Sequence, residues 1–360
     1  MRLSWSTLGV AFALTTSPAH ATTCPLPLCS KCLTREDSHA LGIGFDLSTA
    51  YGTAVVRYPN GSVVNVAKID ASRAYQSMMK QLSEKRRGAL HSRFGPITDE
   101  PVHIGKPAQR PLQAADLDID ALDLDIDTLS FLIAGLKAQT EKLLGHSIRL
   151  VAISSPDYIQ LSETEINQAI TDLGLKNLAD HHTLTLTSSE YAGYSSGLLT
   201  IPTALDLCEE KQSPTETILH LEYTQTTLSG SISYLQGSTL HHTDSVFADW
   251  HLGLSKKPQF IEEEAYWDQL WRRLRGQIQD LDRRITKVIL TGDAVLPPND
   301  PRFFVVAHDA LRGFVESSAL HAFGHTPDPV FAAARGAAEF AKGIQGSNRH
   351  CIESEKCRSL

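Results

Sequence analysis

The sequence predicts an α/β protein in which one folding unit occurs twice. Residues 41–69 and 217–240 each have the pattern of a β-meander, with alternating apolar residues on both sides of turns made of small polar residues. Each meander is followed by helical stretches and by a further buried strand, at 148–154 in the first half and at 287–292 in the second. This shared order predicts an internal duplication of an α/β unit.

The elements of the first half can be placed from periodicity and end signals. A helix is expected over residues 70–92. A second helix follows from the apolar positions of 129–144, with Asp127 as its expected cap and Gly145 as its end. After the buried strand, Ser162-Glu163-Thr164-Glu165 has the pattern of a capping box and starts a short helix. Residues 183–189 read as another strand that leads into a helix.

The second half gives three further elements after its meander. A helix is expected from about Glu262 to Arg284, because Trp267, Leu270, Leu274, Ile278 and Leu281 share one face. The strand KVILTG comes next, at 287–292. The last helix is expected to hold Pro329 in its first turn with Asp328 as its cap, and to continue through Ala338.

Composition and charge restrict the function classes. The chain has 360 residues, of which 42% are hydrophobic and 21% are charged, and this is typical of a globular protein. The formal net charge of −8 argues against non-specific binding to nucleic acid. Residues 1–21 have a positive start, a short apolar stretch and a small-x-small site, which predicts a secretory signal peptide and an extracellular protein without a membrane span. We expect a monomer.

Secretion favours disulfides for the six cysteines. Sequence alone leaves all 15 pairings open, and a zinc site lacks a clear fourth ligand in Cys-x4-Cys-x2-Cys. The candidates for bridges are Cys24, Cys29, Cys32, Cys351 and Cys357, while the role of Cys208 stays open. Asn60-Gly61-Ser62 is both a glycosylation acceptor and a pattern typical of a type I′ hairpin turn.

Two polar segments invite a metal interpretation. The acidic stretch 116–127 could suggest calcium, but it lacks the glycine and the terminal glutamate of an EF-hand loop, and a solvated segment is the preferred interpretation. The pairs His181-His182 and His241-His242 are more typical of solvated surface than of a metal site. The chain also lacks the zinc-protease motif H-E-x-x-H.

Six stretches, in their order and spacing, resemble the nucleotide-binding domain of the 70-kDa heat-shock chaperones, a branch of the actin-like ATPase superfamily. GFDLSTAYG (44–52) is similar to the first phosphate hairpin and ILHLEYTQTTLSGSIS (218–233) to the second. The others are LVAISSPDYIQLSETEINQAITDLGL (150–175), DWHLGL (249–254), KVILTGDAVLP (287–297) at the adenosine motif, and PDPVFAAARGAAEF (327–340) as the closing helix.

This resemblance implies a two-lobed actin-like ATPase fold, built from duplicated ribonuclease-H-like units. The implied organisation is a signal peptide (1–21), a Cys-containing tail (22–40), lobe I (41–197), lobe II (198–328), a closing helix that returns to lobe I (329–345) and a second Cys-containing tail (346–360). Only 64 residues, 223–286, separate Glu222 from Lys287, which implies a reduced second lobe. Because the closing helix would return beside the first strand, the resemblance also implies a disulfide between the two tails, joining Cys24, Cys29 or Cys32 to Cys351 or Cys357.

The resemblance implies a site for ATP or ADP with Mg²⁺ between the two hairpins. Asp46 would hold the magnesium through water, and Glu222 would be the catalytic carboxylate that orients the attacking water or hydroxyl. The nucleotide contacts carried over from the family fall on Asp46, Ser48, Thr49, Thr224, Thr226, Thr227, Gly292 and Asp293.

Departures from the family pattern divide the functional hypotheses. Ser48 stands for a glycine, Glu222 for an aspartate, and Thr224-Gln225-Thr226 for a glycine run; Glu190 is two places from the expected glutamate position near Ser188. The preferred hypothesis is a secreted protein with a degenerate cleft that does not hydrolyse nucleotide and acts by binding a protein or small-molecule partner. The alternative is an active Mg-ATP-dependent ATPase or phosphotransferase with atypical phosphate hairpins.

Overall fold

A computed structural model gives the fold of this chain. The structure describes residues 29, 32, 39–94, 125–159, 161–181, 187–199, 215–236, 239–296, 299, 301–323 and 326–346. The predicted signal peptide, the acidic stretch 116–127 up to residue 124, and the cysteines Cys24, Cys208, Cys351 and Cys357 lie outside the described residues.

The first sheet is built on the predicted meander. Its strands are β1 (Gly42–Leu47), β2 (Tyr51–Arg57), β3 (Val63–Asp70), β4 (Leu150–Ser154) and β5 (Lys176–Asn177), in the order β3-β2-β1-β4-β5. β1, β2 and β3 are antiparallel, whereas β4 runs parallel to β1. β1 and β2 are buried almost throughout, as expected for central strands covered on both faces.

The second sheet repeats this order. Its strands are β6 (Thr215–Tyr223), β7 (Leu228–Gln236), β8 (Thr239–Asp249) and β9 (Lys287–Thr291), arranged as β8-β7-β6-β9. Again the first three strands form an antiparallel meander, and the fourth runs parallel to the first. The predicted α/β class is therefore confirmed, and the two described sheets share one topology.

Three helices cover the outer face of the first sheet: α1 (Arg73–Phe94), α2 (Ile126–Leu144) and α3 (Glu163–Thr171). Their apolar faces form one core with β1, β2 and β4, which includes Phe45, Met79 and Ile133. The capping box at Ser162 and the left-handed Gly145 at the end of α2 are as predicted. The predicted cap of α2 was wrong by two residues: Asp125 accepts from the backbone N–H of Thr128, while Asp127 lies in the first turn.

Helix α4 (Ser188–Ser195) begins earlier than the sequence suggested. Residues 188 and 189 were expected in a strand, but they form the first turn of α4, and Thr187 makes only an isolated parallel bridge with Ser155. Residues 183–186 of that expected strand lie outside the described residues. The reason for the early start is a capping box, in which the Glu190 carboxylate accepts from the Thr187 N–H at 2.7 Å.

The second sheet is covered by α5 (Glu263–Ile278), α6 (Arg302–Leu311) and α7 (Ser317–Ala322). Tyr223 and Phe303 stack in this core, with ring centroids 4.3 Å apart. α5 ends at Ile278, six residues before the predicted end, although Leu281 still packs against the core.

Helix α8 (Ala332–Gln345) lies on the other face of the first sheet, against β1, β2, β4 and α4. The approach is close because small residues meet there: a Cβ on Gly44 would lie 2.1 Å from the carbonyl oxygen of Ala334. The predicted start was wrong, because α8 begins after Phe331 and not at Pro329. Asp328 has a φ of 51°, so it occupies a left-handed turn before the helix and does not cap it.

Two smaller expectations concern the hairpin at Asn60 and membrane insertion. A type I′ turn needs positive φ at two central residues, but at this tip only Gly61 has one, so that prediction was wrong. Within the described residues, no helix is both long and apolar enough to cross a bilayer.

Candidate functional site

The inner face of the second sheet is polar and buried. Alternation along β6 places Ile218, His220 and Glu222 on one face, and their pairing partners Ser233, Ser231 and Ser229 in β7 lie on that same face. All six are buried. The opposite face carries Leu219, Leu221 and Tyr223 into the apolar core beneath the helices. Polar groups that are buried need hydrogen-bond partners, and here Glu222 and His220 contact the first unit. Ser229 and Ser233 bond within the second sheet.

Asp46 lies at the end of β1, in contact with two hydroxyls of its own unit. Its Oδ1 accepts from Ser154 Oγ at 2.5 Å and from Ser188 Oγ at 2.8 Å. Burial raises the pKa of Asp46, and the two serine hydroxyls and His220 only partly offset this increase. Ser188, and not Glu190, is the residue of α4 that reaches Asp46.

The two predicted hairpin tips contact each other directly. Ser48 Oγ donates to Glu222 Oε1 at 2.6 Å, across the boundary between the units. Thr49 Oγ1 lies 3.1 Å from both Thr226 Oγ1 and Thr227 Oγ1. These contacts form what we call the inter-sheet seam: Ser48 and Thr49 on one side, and Glu222, Thr226 and Thr227 on the other.

Glu222 is a buried carboxyl group with hydroxyl donors on both oxygens. Its second oxygen accepts from Ser229 Oγ at 3.1 Å. Burial raises its pKa from 4.5 to about 7, and the nearby charge of Asp46 adds to the increase, whereas Ser48 and Ser229 oppose it. A carboxyl group with such a pKa is half protonated near neutrality.

The backbone N–H groups at the tip of the second hairpin are already bonded within the protein. Thr224 N donates to Thr227 O at 2.9 Å, and Gln225 N donates to Asp293 Oδ1 at 3.1 Å. Thr226 N and Thr227 N both donate to the Thr224 hydroxyl, at 3.2 and 3.0 Å. Successive N–H groups that converge on one point form an anion-binding nest, and here the Thr224 oxygen occupies that point.

Gly292 and Asp293 support this arrangement from the loop after β9. Gly292 has a φ of 109°, and a Cβ there would lie 2.0 Å from the carbonyl oxygen of Tyr223. Asp293 bonds the second hairpin through Gln225 N and lies 3.3 Å from Lys68 Nζ, a residue of β3. Both predicted nucleotide contacts therefore take part in packing between the hairpin, this loop and the first unit.

A second contact between the units was missed by the sequence reasoning. His220 Nδ1 lies 3.6 Å from Asp157 Oδ2, and His220 Nε2 lies 2.9 Å from Thr291 Oγ1. Asp157 also accepts from Thr187 Oγ1 at 2.9 Å and from the Ser189 backbone and hydroxyl. Burial alone would raise the pKa of Asp157, but His220 and these hydroxyls outweigh burial and lower it. The alternation of Ile218, His220 and Glu222 was the signal that could have revealed it.

The donor set does not fit a nucleotide with magnesium. The N–H groups that would face phosphate are bonded internally, and the hydroxyls of both tips bond each other across the seam. In the part of the chain that the structure describes, no three His, Cys, Asp or Glu side chains are grouped so that they could hold a metal ion.

The disulfide and glycosylation candidates lie away from the seam. Cys29 and Cys32, the two cysteines among the described residues, are both disulfide-bonded. The expected bridge between the two tails stays a prediction. Asn60 is exposed, and its Oδ1 accepts from the backbone N–H and the hydroxyl of Ser62 at 3.0 and 2.7 Å.

Comparison with known proteins gives no name to this site. The chain matches no protein-family model, and no curated protein is detectably similar to it in sequence.

Proposed function

We propose that this protein is a secreted, heat-shock-chaperone-like member of the actin-like ATPase superfamily that does not hydrolyse nucleotide and acts as a binding or interaction protein. The shared strand order of the two sheets supports the proposed two-lobed fold, because two such units with facing hairpins are what the resemblance implies. Sheet order alone does not carry function, so the proposal depends on the hairpin tips.

The observation that carries the proposal is the self-bonded tip of the second hairpin. The Thr224 hydroxyl accepts the N–H groups of Thr226 and Thr227, which a phosphate-binding nest must keep available. Admitting a phosphate would take both N–H groups away from the Thr224 hydroxyl, which would keep only its contacts with Thr226 and Thr227. Each hydrogen bond lost in this way costs about 0.5–1.5 kcal/mol before any ligand contact is made.

The alternative function, a Mg-ATP-dependent ATPase or phosphotransferase, is favoured by Glu222. A carboxyl group with a pKa of about 7 is suited to general base catalysis near neutral pH. For this role the Ser48–Glu222 bond must open, so that Glu222 can face a water or hydroxyl.

Thermal melting of the mature, oxidised protein with and without Mg-ATP separates the two functions. Binding to the native state alone raises the midpoint, and we expect no shift at millimolar nucleotide. A triple variant, Thr224→Gly with Gln225→Gly and Thr226→Gly, tests whether the internal bonds of the tip prevent binding. It leaves the backbone N–H groups of the tip available, so Mg-ATP should raise its melting midpoint although it does not raise that of the wild type. A wild-type shift that Asp46→Ala abolishes would instead support the ATPase.

A further inference from the structure

We propose that His220 and Asp157 form a proton-sensitive clasp between the two units, closed in weakly acidic medium and loosened above neutral pH. This inference goes beyond the proposed function, and it holds whether or not the seam binds nucleotide.

The clasp joins elements that belong to different sheets. His220 lies in the middle of β6, and Asp157 lies in the loop after β4. Both side chains are about 95% buried, so water does not screen their interaction as it would at the surface. On its other side the imidazole reaches Thr291 in β9, which fixes the ring between the two units.

Acidic side chains dominate the surroundings of this imidazole. Within the described part of the chain, the charged groups that act on it are Asp157 from the loop after β4, Asp46 from β1, and Glu222 from its own strand. An imidazolium placed here faces carboxyl groups from both units, whereas a neutral imidazole leaves Asp157 buried with hydroxyl and N–H donors alone.

Each titration in the seam acts in the same direction as the pH rises. Histidine is the side chain whose charge ordinarily changes between about pH 5 and 8. The pKa of Asp157 is lowered, so its carboxylate stays charged, and Glu222 becomes charged near pH 7. In acidic medium the charges of His220, Asp157 and Glu222 therefore nearly cancel. In alkaline medium the carboxylates of Asp157 and Glu222 are buried like charges, which destabilise the contact between the units.

Consequently, the units should separate locally without global unfolding. Besides this clasp, the described residues of the two units meet through the hydroxyl contacts of the seam and through an apolar patch in which Ile218 and Ile289 meet Ala192 and Ala332. Two further contacts are the Lys68–Asp293 ion pair and the hydrogen bond from the Trp250 indole to Ser83. Each sheet has its own helix-covered core, and Trp250 from the second unit packs into the core of the first, so local opening at the clasp must leave the Trp250 contact in place.

Hydrogen exchange on the full mature chain, without nucleotide, tests the clasp. After correction for the intrinsic exchange rate, residues 150–159 and 218–229 should lose protection at least about tenfold between pH 5.5 and 8, while α5 keeps its protection. A His220→Gln variant should show low seam protection at both pH values.

A double-mutant cycle of His220→Gln and Asp157→Asn supplies the second measurement. The coupling between the two residues should be present at about pH 5.5 and at least about fivefold weaker, as an equilibrium constant, at pH 8. Equal coupling at both pH values, or pH-independent protection of both seam segments in the wild type, would overturn the proposal. Because Glu222 also becomes charged in this range, loss of protection in the wild type supports the clasp only together with the pH-dependent coupling, whereas pH-independent protection overturns it even where a variant fails to fold.

Discussion

The two hairpin tips occupy equivalent places in their sheets, between the first and second strands of each meander, but they use their polar groups differently. At the first tip, Asp46 is held by Ser154 and Ser188, which come from other elements of its own unit. At the second tip, the Thr224 side chain satisfies the backbone of its own turn.

This difference shows that two tips in equivalent places can use their polar groups differently while the sheets keep the same strand order. Sheet order is fixed by buried apolar alternation along the strands, which both units keep. The tips contribute little to that pattern. Threonines at the second tip can therefore turn its N–H groups inward without disturbing the sheet.

The largest expected effect comes from the glycine that supports the second tip. Gly292→Ala should destabilise the protein by at least about 3 kcal/mol, because a Cβ is strained at a φ of 109° and would collide with the Tyr223 carbonyl. Urea unfolding measures the loss.

The matched control for that substitution is Gly276→Ala in helix α5, where an added Cβ meets nothing within 4 Å. It should stabilise by about 0.5–1 kcal/mol through helix propensity. Similar destabilisation by both variants would contradict the close packing of the loop after β9 on the second tip.

The next largest effect is expected in the pH dependence of stability, which tests the buried carboxyl group of Glu222. Because the pKa of Glu222 is raised from 4.5 to about 7, its stabilising contribution is complete below pH 4.5 and is lost as the pH rises through 7. Glu222→Gln, which mimics the protonated form, should be more stable than the wild type by about 2–3 kcal/mol at pH 8.

Below about pH 4.5 the wild type and Glu222→Gln should converge, because the Glu222 carboxyl is then increasingly protonated in both the folded and the unfolded chain. Chemical denaturation at the two pH values gives the comparison. A constant difference between the two proteins across this range would show that Glu222 does not titrate in the buried seam.

The Thr224 hydroxyl provides a sharper test of the second tip. Thr224→Val keeps the shape but removes the acceptor of two N–H groups, and it should cost about 2 kcal/mol.

Thr53→Val in β2 is the control, since the buried Thr53 hydroxyl has no hydrogen-bond partner in the described structure. It should be neutral or slightly stabilising. Equal losses in the two valine variants would mean that the hydroxyl of Thr224 is not the acceptor that holds the turn.

The smallest effect is expected at the outer edge of the seam. Thr226 is half-buried, and its hydroxyl contacts Thr49 and Thr224, so Thr226→Val should cost less than about 1 kcal/mol. Thr227→Val, at the buried neighbouring position, should cost more, about 1–2 kcal/mol. If unfolding measurements show a larger loss for Thr226→Val than for Thr227→Val, Thr226 does not lie at the water-accessible edge of the seam.

Much of the fold could be predicted from local patterns. Alternating apolar residues located both meanders, and the signals at Ser162 and Gly145 located two helix ends. Errors arose where two similar signals competed. Asp125 and Asp127 are both suitable caps by residue type, and the helix uses the first.

The candidate site was less accessible to sequence reasoning. Ser48 and Glu222 lie 174 positions apart, and so their hydrogen bond depends on how the sheets pack against each other. The alternation in β6 shows that His220 and Glu222 share a face, but a polar face in a strand normally points to solvent. The internal bonds of the Thr224 turn depend on backbone directions that residue types do not specify.

The central claim concerns three backbone amides, and nuclear magnetic resonance observes them directly. In a titration of the mature, oxidised protein with Mg-ATP, the account predicts unchanged amide shifts for Gln225, Thr226 and Thr227, since each N–H is already bonded within the protein. Saturable shifts of these three amides, lost in Asp46→Ala, would contradict it.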